Sequence, residues 1–360
     1  MRISGRMVTP SGVVDGSLSI VDGKIAGMRK GKAGPRWILP GFVDMHTHGG
    51  GGCTFTTGDA DQARGAAAFH LAHGTTTMLA SLVSSPAEVM REAVLAFAPL
   101  VAEGVIAGLH FEGPYLSHLR CGAQNPAFLR DPDQGELAEL VKLSNGNLRI
   151  VTIAPELPGA LEAIAFLRDQ GVVAAIGHTD ASYEQVLAGV ERGAAVATHL
   201  CNGMRPINHR DPGPVVALLD SPQVVCELVA DGVHLHHGML AFAARSVGAG
   251  RAALITDAMS AAGMADGEYD LGGQAVVVTD RVARLKRDGS IAGSTLTMDA
   301  AVRQAVRAGL SIVEVAAMAA TTPARVLGLD KRLAAGCDAD LVLLDDDLRV
   351  SAVIRGGIEQ

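Results

Sequence analysis

The sequence predicts an α/β fold, a (β/α)8 barrel of parallel strands with a small β-sandwich formed by the two termini. Three observations predict it. Eight apolar runs of strand length recur through the middle of the chain. Amphipathic stretches of helical periodicity lie between them. The two ends of the chain break this rhythm with short β-like runs joined by turns.

The N-terminal runs are Met1–Pro10, Gly12–Val21 and Lys24–Met28, with Asp22-Gly23 as a hairpin turn. The C-terminal ones are Asp340–Leu344 and Val350–Arg355, bracketed by Gly336 and Gly356-Gly357. The expected division is therefore 1–39 plus 334–360 for the small domain and 40–333 for the barrel. The barrel strands are expected at Phe42–Met45, Thr75–Ser81, Val105–Phe111, Leu148–Ala154, Val172–Ile176, Ala194–Thr198, Val224–Ala230 and Ala252–Thr256. Helices are expected at Asp59–His73, Pro86–Glu103, Pro158–Gln170 and Ala181–Arg192, among others. A doubly wound open sheet is the alternative, but it usually has fewer strands and a Gly-rich first turn, whereas here that turn reads HTHGGGG.

Composition narrows the function. The chain has 360 residues, 48% of them apolar and only 3% aromatic, with a formal charge of −8. A sizeable core is affordable, and neither the charge nor the scarcity of aromatics suits a nucleic-acid partner. The five cysteines (53, 121, 201, 226 and 337) show no CxxC pairing, so a reducing cytoplasm is expected rather than a disulfide framework. The N-terminus lacks the apolar core of a secretory signal, and no apolar run reaches membrane-span length.

The polar residues that end the strands carry the chemistry. Strand one ends in His46-Thr47-His48, strand three in Glu112, strand five in His178, strand six in His199 and strand eight in Asp257. Barrel chemistry gathers at these C-terminal ends. Alternation puts His46 and His48 on one side, so both can reach one ion. Imidazoles and carboxylates together suit Zn²⁺, Fe²⁺ or Mn²⁺, and a bridging Glu112 would allow two ions. One histidine after a strand is more often a cap or a satisfied polar group than a ligand, and the HxH pair alone is balanced between the two, but five ligand-type strand ends in this order are hard to assign to coincidence. Asp257 is placed to take a proton from a metal-bound water, with metal ligation or helix capping as alternatives. His70, His73, His118, His209, His236 and His237 lie in expected helices, helix starts or loops, where structural or solvated roles suit them.

Seven segments carry a resemblance over essentially the whole chain: LPGFVDMHTHG (39–49), HFEGPYLS (110–117), IGHTDA (176–181), THLCNGM (198–204), DGVHL (231–235), ITDAMSAAG (255–263) and AGSTLTM (292–298). In them the chain resembles the amidohydrolase superfamily and, within it, the N-acetylglucosamine-6-phosphate deacetylases, enzymes of amino-sugar catabolism and cell-wall sugar recycling. The resemblance implies that Glu112, His178 and His199 hold the principal metal and that Asp257 is the general acid/base. His46 and His48 match a further metal pair that some members lack. One or two divalent ions per subunit are implied, zinc first, with iron, manganese or cobalt as alternatives. Asn202 and Gly203 match backbone donors to the sugar phosphate, Arg210 its arginine, and His234 the histidine that orients the acetamido carbonyl. Ile291, Ala292 and Gly293 resemble a loop lining the sugar, with Ala292 nearest the middle. Ala123 and Gln124 fall in the loop after EGP, and Gln124 stands where a histidine is usual. Cys121 in that loop reads as a small loop residue. Because Arg210's counterpart in some members reaches a neighbouring site, a homodimer is implied.

Cyclic-amide hydrolases and nucleobase deaminases are the enzyme rivals. Many of the former bridge two metals with a carbamylated lysine, but none of lysines 24, 30, 32, 142, 286 and 331 ends an expected barrel strand. A non-catalytic assembly barrel is the other rival, and it need not retain a full ligand set.

Overall fold

The structure is a computed structural model that describes residues 1–32 and 34–360. Its centre is a curled parallel sheet. Ala80–Val83, Leu109–Glu112, Leu148–Ile153, Val173–Ile176, Val196–Ala197, Val225–Val229 and Ala252–Ile255 pair in this order, each strand parallel to the next. The first strand, Phe42–Asp44, pairs in parallel with Thr75–Met78, whose chain runs on through Leu79 into Ala80–Val83. First and last strands then meet: Asp257 N–H donates to the His46 carbonyl at 2.9 Å and His48 N–H to that of Ala258 at 2.7 Å. Below this junction the buried Asp44 carboxylate accepts the Thr256 hydroxyl at 2.5 Å. Burial pushes the Asp44 pKa up to about 7, against the opposing pull of the Thr256 hydrogen bonds.

The helices start where the sequence supplies caps. Asp59 accepts from the backbone N–H of Asp61 and Gln62 to open Ala60–Ala72. Ser182 and Gln185 form a reciprocal capping box before Tyr183–Arg192, as Ser311 and Glu314 do before Ile312–Ala316. Helices Ala87–Ala102 and Ala160–Asp169 fall within the expected spans. Their buried faces, among them Val94, Phe97 and Ile164, join Val186 of Tyr183–Arg192 and Ile150, Ile153 and Ile176 from the sheet in one continuous core. No helix among the described residues is long and apolar enough to cross a membrane.

The termini meet as expected. Hydrogen bonding joins Ile358–Glu359, Val350–Arg355, Leu341–Leu344, Trp37–Pro40, Arg2–Thr9, Gly12–Val21 and Lys24–Lys30 into one seven-stranded sheet with its own core around Met7, Leu18, Ile25, Ile38 and Leu343. A second sheet was not anticipated. Gly267–Leu271, Gln274–Thr279 and Val282–Leu285 form a three-stranded antiparallel layer after the eighth barrel strand, turning at Gly272-Gly273 and at Asp280-Arg281. It packs over the barrel mouth with Val83, Met259 and Ala292 beneath it.

Candidate metal and active site

His178, His199 and Asp257 each leave their strand in a left-handed conformation, at φ of 46°, 26° and 49°. Non-glycine residues there cost about 1–3 kcal/mol each, and such strain gathers at functional sites. Here it turns the polar ends of the fifth, sixth and eighth strands toward one point. Gly203 is required beside them: at φ +60° a Cβ would sit 2.8 Å from His178 Nδ1.

Glu112 lies at that point, nearly fully buried. Its Oε1 is 2.9 Å from His178 Nε2 and 2.7 Å from His199 Nε2. Its Oε2 is 3.2 Å from His48 Nε2. The histidine nitrogens also face one another, His178 to His199 at 3.1 Å and His46 to His48 at 3.2 Å. Two donor groups result, His46–His48–Glu112 and Glu112–His178–His199, with Glu112 common to both. Asp257 Oδ1 stands 3.3 Å from His48 Nε2 and 3.6 Å from His46 Nε2.

The far side of each ring shows what these atoms are for. Nδ1 of His178 faces the Arg120 carbonyl at 2.8 Å, that of His199 the Asn202 carbonyl at 3.2 Å, and that of His48 the Ser81 carbonyl at 3.1 Å. His46 Nδ1 faces Glu227 Oε2 at 3.1 Å. Acceptors at every Nδ1 keep the proton there and leave four Nε2 lone pairs aimed at carboxylate oxygens, an arrangement that calls for a cation. The electrostatics agree. Burial pushes the His48 pKa down, but Asp257 and Glu112 outweigh it and raise it to about 9. His46 is raised likewise against burial, chiefly by Glu227 and Glu112. Burial opposes ionisation of Glu112 too, yet the surrounding histidines hold it well below the carboxylate range. Sites that draw protons in this way also bind divalent metals, which displace those protons.

A cavity of about 260 Å³ opens above the cluster. His48, Glu112, His178, His199 and Asp257 form its floor, whereas His46 is completely buried beneath. His234 lines one wall, its Nε2 3.7 Å from Asp257 Oδ2 and its Nδ1 2.6 Å from Asp231 Oδ2. Burial lowers the His234 pKa, but Asp231 and Asp257 outweigh it and the net shift is upward. Ala123, Gln124, Asn202, Gly203, Ile291 and Gly293 line the remainder, joined by Val83, Leu271 and Ser290, which the sequence did not single out.

Three expected roles change. Ala292 is not in the cavity: it is fully buried under the three-stranded sheet, where its N–H donates to the Ala283 carbonyl at 3.0 Å. The Asn202 N–H is already given to the His199 carbonyl at 3.0 Å, and its side-chain amide to His199 and Leu200, so of the pair Gly203 keeps the free backbone donor. Arg210 is exposed on a loop and does not line this chain's own cavity. Gln124 is tied more closely to the floor than expected. Its Nε2 donates to Glu112 Oε2 at 2.7 Å and its Oε1 accepts from Ser84 N–H at 2.7 Å. Gln124→Ala should therefore weaken metal binding by roughly 10–100-fold while the protein stays folded, as competition with a chromogenic chelator would show.

His70 is structural, as its place in a helix suggested. It is fully buried, its Nε2–H donates to the Gly49 carbonyl at 2.9 Å, and its Nδ1 has no partner. Burial holds its pKa down at about 4. The folded value is depressed below the unfolded 6.5, so as pH falls from 6.5 to 4 the unfolded chain takes up a proton the folded one refuses. That costs up to roughly 3 kcal/mol of stability by pH 4. Melting temperatures of the wild type and His70→Gln between pH 7 and 4.5 check it: the variant should lose less stability, and parallel curves would contradict a buried neutral His70.

Comparison with known proteins fits this geometry. The amidohydrolase family profile matches residues 37–358. The chain belongs to the amidohydrolase family. An N-acetylglucosamine-6-phosphate deacetylase of Lysinibacillus sphaericus is 37% identical to this amidohydrolase over 93% of the chain and 91% of its own length. An N-acetylgalactosamine-6-phosphate deacetylase of Escherichia coli O157:H7 is 36% identical over 97% and 96%. An N-acetyl-D-glucosamine-6-phosphate deacetylase of Mycobacterium smegmatis is 44% identical, with a TM-score of 0.97 over 100% of this amidohydrolase and 98% of that chain. That structure is an aspartate-to-alanine mutant in complex with N-acetyl-D-glucosamine-6-phosphate.

Proposed function

We propose that this amidohydrolase removes the acetyl group of N-acetylglucosamine 6-phosphate, giving glucosamine 6-phosphate and acetate. The observation that carries the reading is one cavity in which Asp257 and His234 stand over two metal-donor groups sharing Glu112. Glu112, His178 and His199 would hold one divalent ion, and His46 and His48 with Glu112 a second. Zinc suits the donors best, with iron, manganese or cobalt as alternatives. Bound there, the metal supplies Lewis acidity and lowers the pKa of water.

The chain's own residues supply the rest. Asp257, its Oδ1 3.3 Å from His48 Nε2 on the cavity floor, takes a proton from the attacking water and returns it to the departing nitrogen. His234, fixed by Asp231, presents Nε2 to the acetamido oxygen and stabilises the charge that develops there. The Gly203 N–H and Arg210 hold the phosphate, so that remote binding fixes the sugar's orientation. Because Arg210 is exposed away from its own cavity, we assign it to a neighbouring subunit's site in a homodimer. We also read the terminal sheet as a sandwich folded on itself, forming with 1–39 and 334–360 a domain apart from 40–333, since its core is separate from the barrel's. The free state of all five cysteines supports a cytoplasmic location.

Acetate release tests the reading. The metal-loaded protein should hydrolyse N-acetylglucosamine 6-phosphate far faster than N-acetylglucosamine, with the galactosamine epimer measured beside them. Arg210→Ala should lower kcat/KM for the phosphorylated sugar by roughly 10–100-fold and spare the neutral one. Equal losses on both would remove Arg210 from the phosphate site, and no turnover of any sugar would remove the function.

A further inference from the structure

We propose that the chain carries a second anion site, distinct from the catalytic cavity, that takes the phosphate of a small phosphorylated metabolite. A cavity of about 350 Å³ lies among the 280–282 turn, helix Met298–Arg307 and the 345–349 loop, behind the segment that carries His234. Its size is within the roughly 300–1,000 Å³ of small-molecule sites. Arg281, Arg303, Arg307 and Arg349 line it, with Gln304 and Thr295 as further polar groups.

Arg303 is committed, its Nη1 2.7 Å from Asp299 and 2.9 Å from the Leu348 carbonyl. No side-chain hydrogen bond or ion pair engages Arg281, Arg307 or Arg349 among the described residues. Arg281, Arg307 and Arg349, all exposed and without side-chain partners, thus come from three separate segments to line one concave site. Guanidinium forks match the oxygens of a phosphate dianion, and several of them hold one far better than one does. Acidic groups limit the occupant. Asp280 and Asp231 belong to the wall, Asp345 sits on the same loop as Arg349, and Asp346 there pairs with Arg6. The cationic surface is therefore local, suited to one small anion and not to a nucleic acid.

The site adjoins the catalytic machinery through one residue. Asp231 lines it, and the same carboxylate holds His234, Oδ2 at 2.6 Å from Nδ1 and Oδ1 at 2.8 Å from the backbone N–H of both Val233 and His234. An anion bound on the arginines would sit beside the group that orients His234. This coupling, unlike the binding itself, rests on the role proposed for His234.

Inorganic phosphate is the probe, titrated calorimetrically at constant ionic strength into the metal-loaded protein without substrate. Wild type should bind two phosphates per chain and Arg307→Ala/Arg349→Ala one, the lost site weakening by at least about tenfold. Equal stoichiometry and affinity in both proteins would overturn the site. Failure of the catalytic phosphate clamp gives a different pattern, one phosphate in wild type that the double variant loses. Arg349→Ala alone, on an exposed loop, gives the same reading with a smaller loss if the double variant does not fold. Phosphate should also inhibit wild-type deacetylation in a mixed pattern, with kcat at saturating substrate falling roughly fivefold, and the double variant only competitively. Competitive inhibition of both would overturn the coupling.

Discussion

Asp257→Asn lowers turnover by about 10²–10⁴-fold and leaves metal binding in place. Asparagine keeps the size of the side chain and an oxygen acceptor, so the packing at φ 49° and the contacts to His46 and His48 at 3.6 and 3.3 Å persist. What it lacks is the capacity to take a proton. Burial alone would raise the Asp257 pKa, but His48, His46 and His199 overcome it and leave the carboxylate ionised far below the usual range. Steady-state kinetics with metal content measured on the same sample checks this. Retained metal with kcat within tenfold of wild type would take Asp257 out of proton transfer.

Glu112→Ala removes bound metal and with it several orders of magnitude of activity. Glu112 is the one residue shared by both donor groups, with Oε1 serving His178 and His199 and Oε2 turned to His48. Without it each group falls to two imidazoles, which hold a divalent ion in competition with water only weakly. Elemental analysis after dialysis should find well under one ion per chain, and activity should stay low when metal is resupplied at concentrations that saturate wild type. Stoichiometric metal in Glu112→Ala would mean that Asp257 and the histidines suffice. Glu112→Gln is the informative companion: it preserves shape but offers its amide where the carboxylate met Gln124 Nε2 at 2.7 Å, so it should lose metal as well.

The sequence was most legible where a residue's role depends on its own strand. Eight apolar runs, five of them followed by His, Glu or Asp, point both to a curled parallel sheet and to the convergence of His46, His48, Glu112, His178, His199 and Asp257, because parallel strands of such a sheet bring their C-terminal ends together whatever their separation in sequence. The terminal sheet was legible for a similar reason, two β-rich ends flanking a different middle. The three-stranded layer at 267–285 was missed although GEYDLGGQAVVVTD carries alternation around a Gly-Gly turn. It is an antiparallel insertion that interrupts the βα rhythm of the segments on either side.

What the sequence by itself determined is the set of donors, their order and the chemistry they permit. Tertiary structure decided the tautomers, the pKa shifts and the roles of second partners, because those depend on distances between residues far apart in the chain. Glu227 holds His46 from 181 positions away, and in the sequence it was only a charged residue inside the apolar run VVCELVA. Asp231 lies three residues before His234, yet only the folded loop turns the two side chains together. Ala292 and Gln124 changed meaning for the same reason. Docking against the three-stranded sheet and a close carboxylate, which no linear motif specifies, sent one into the core and the other onto Glu112.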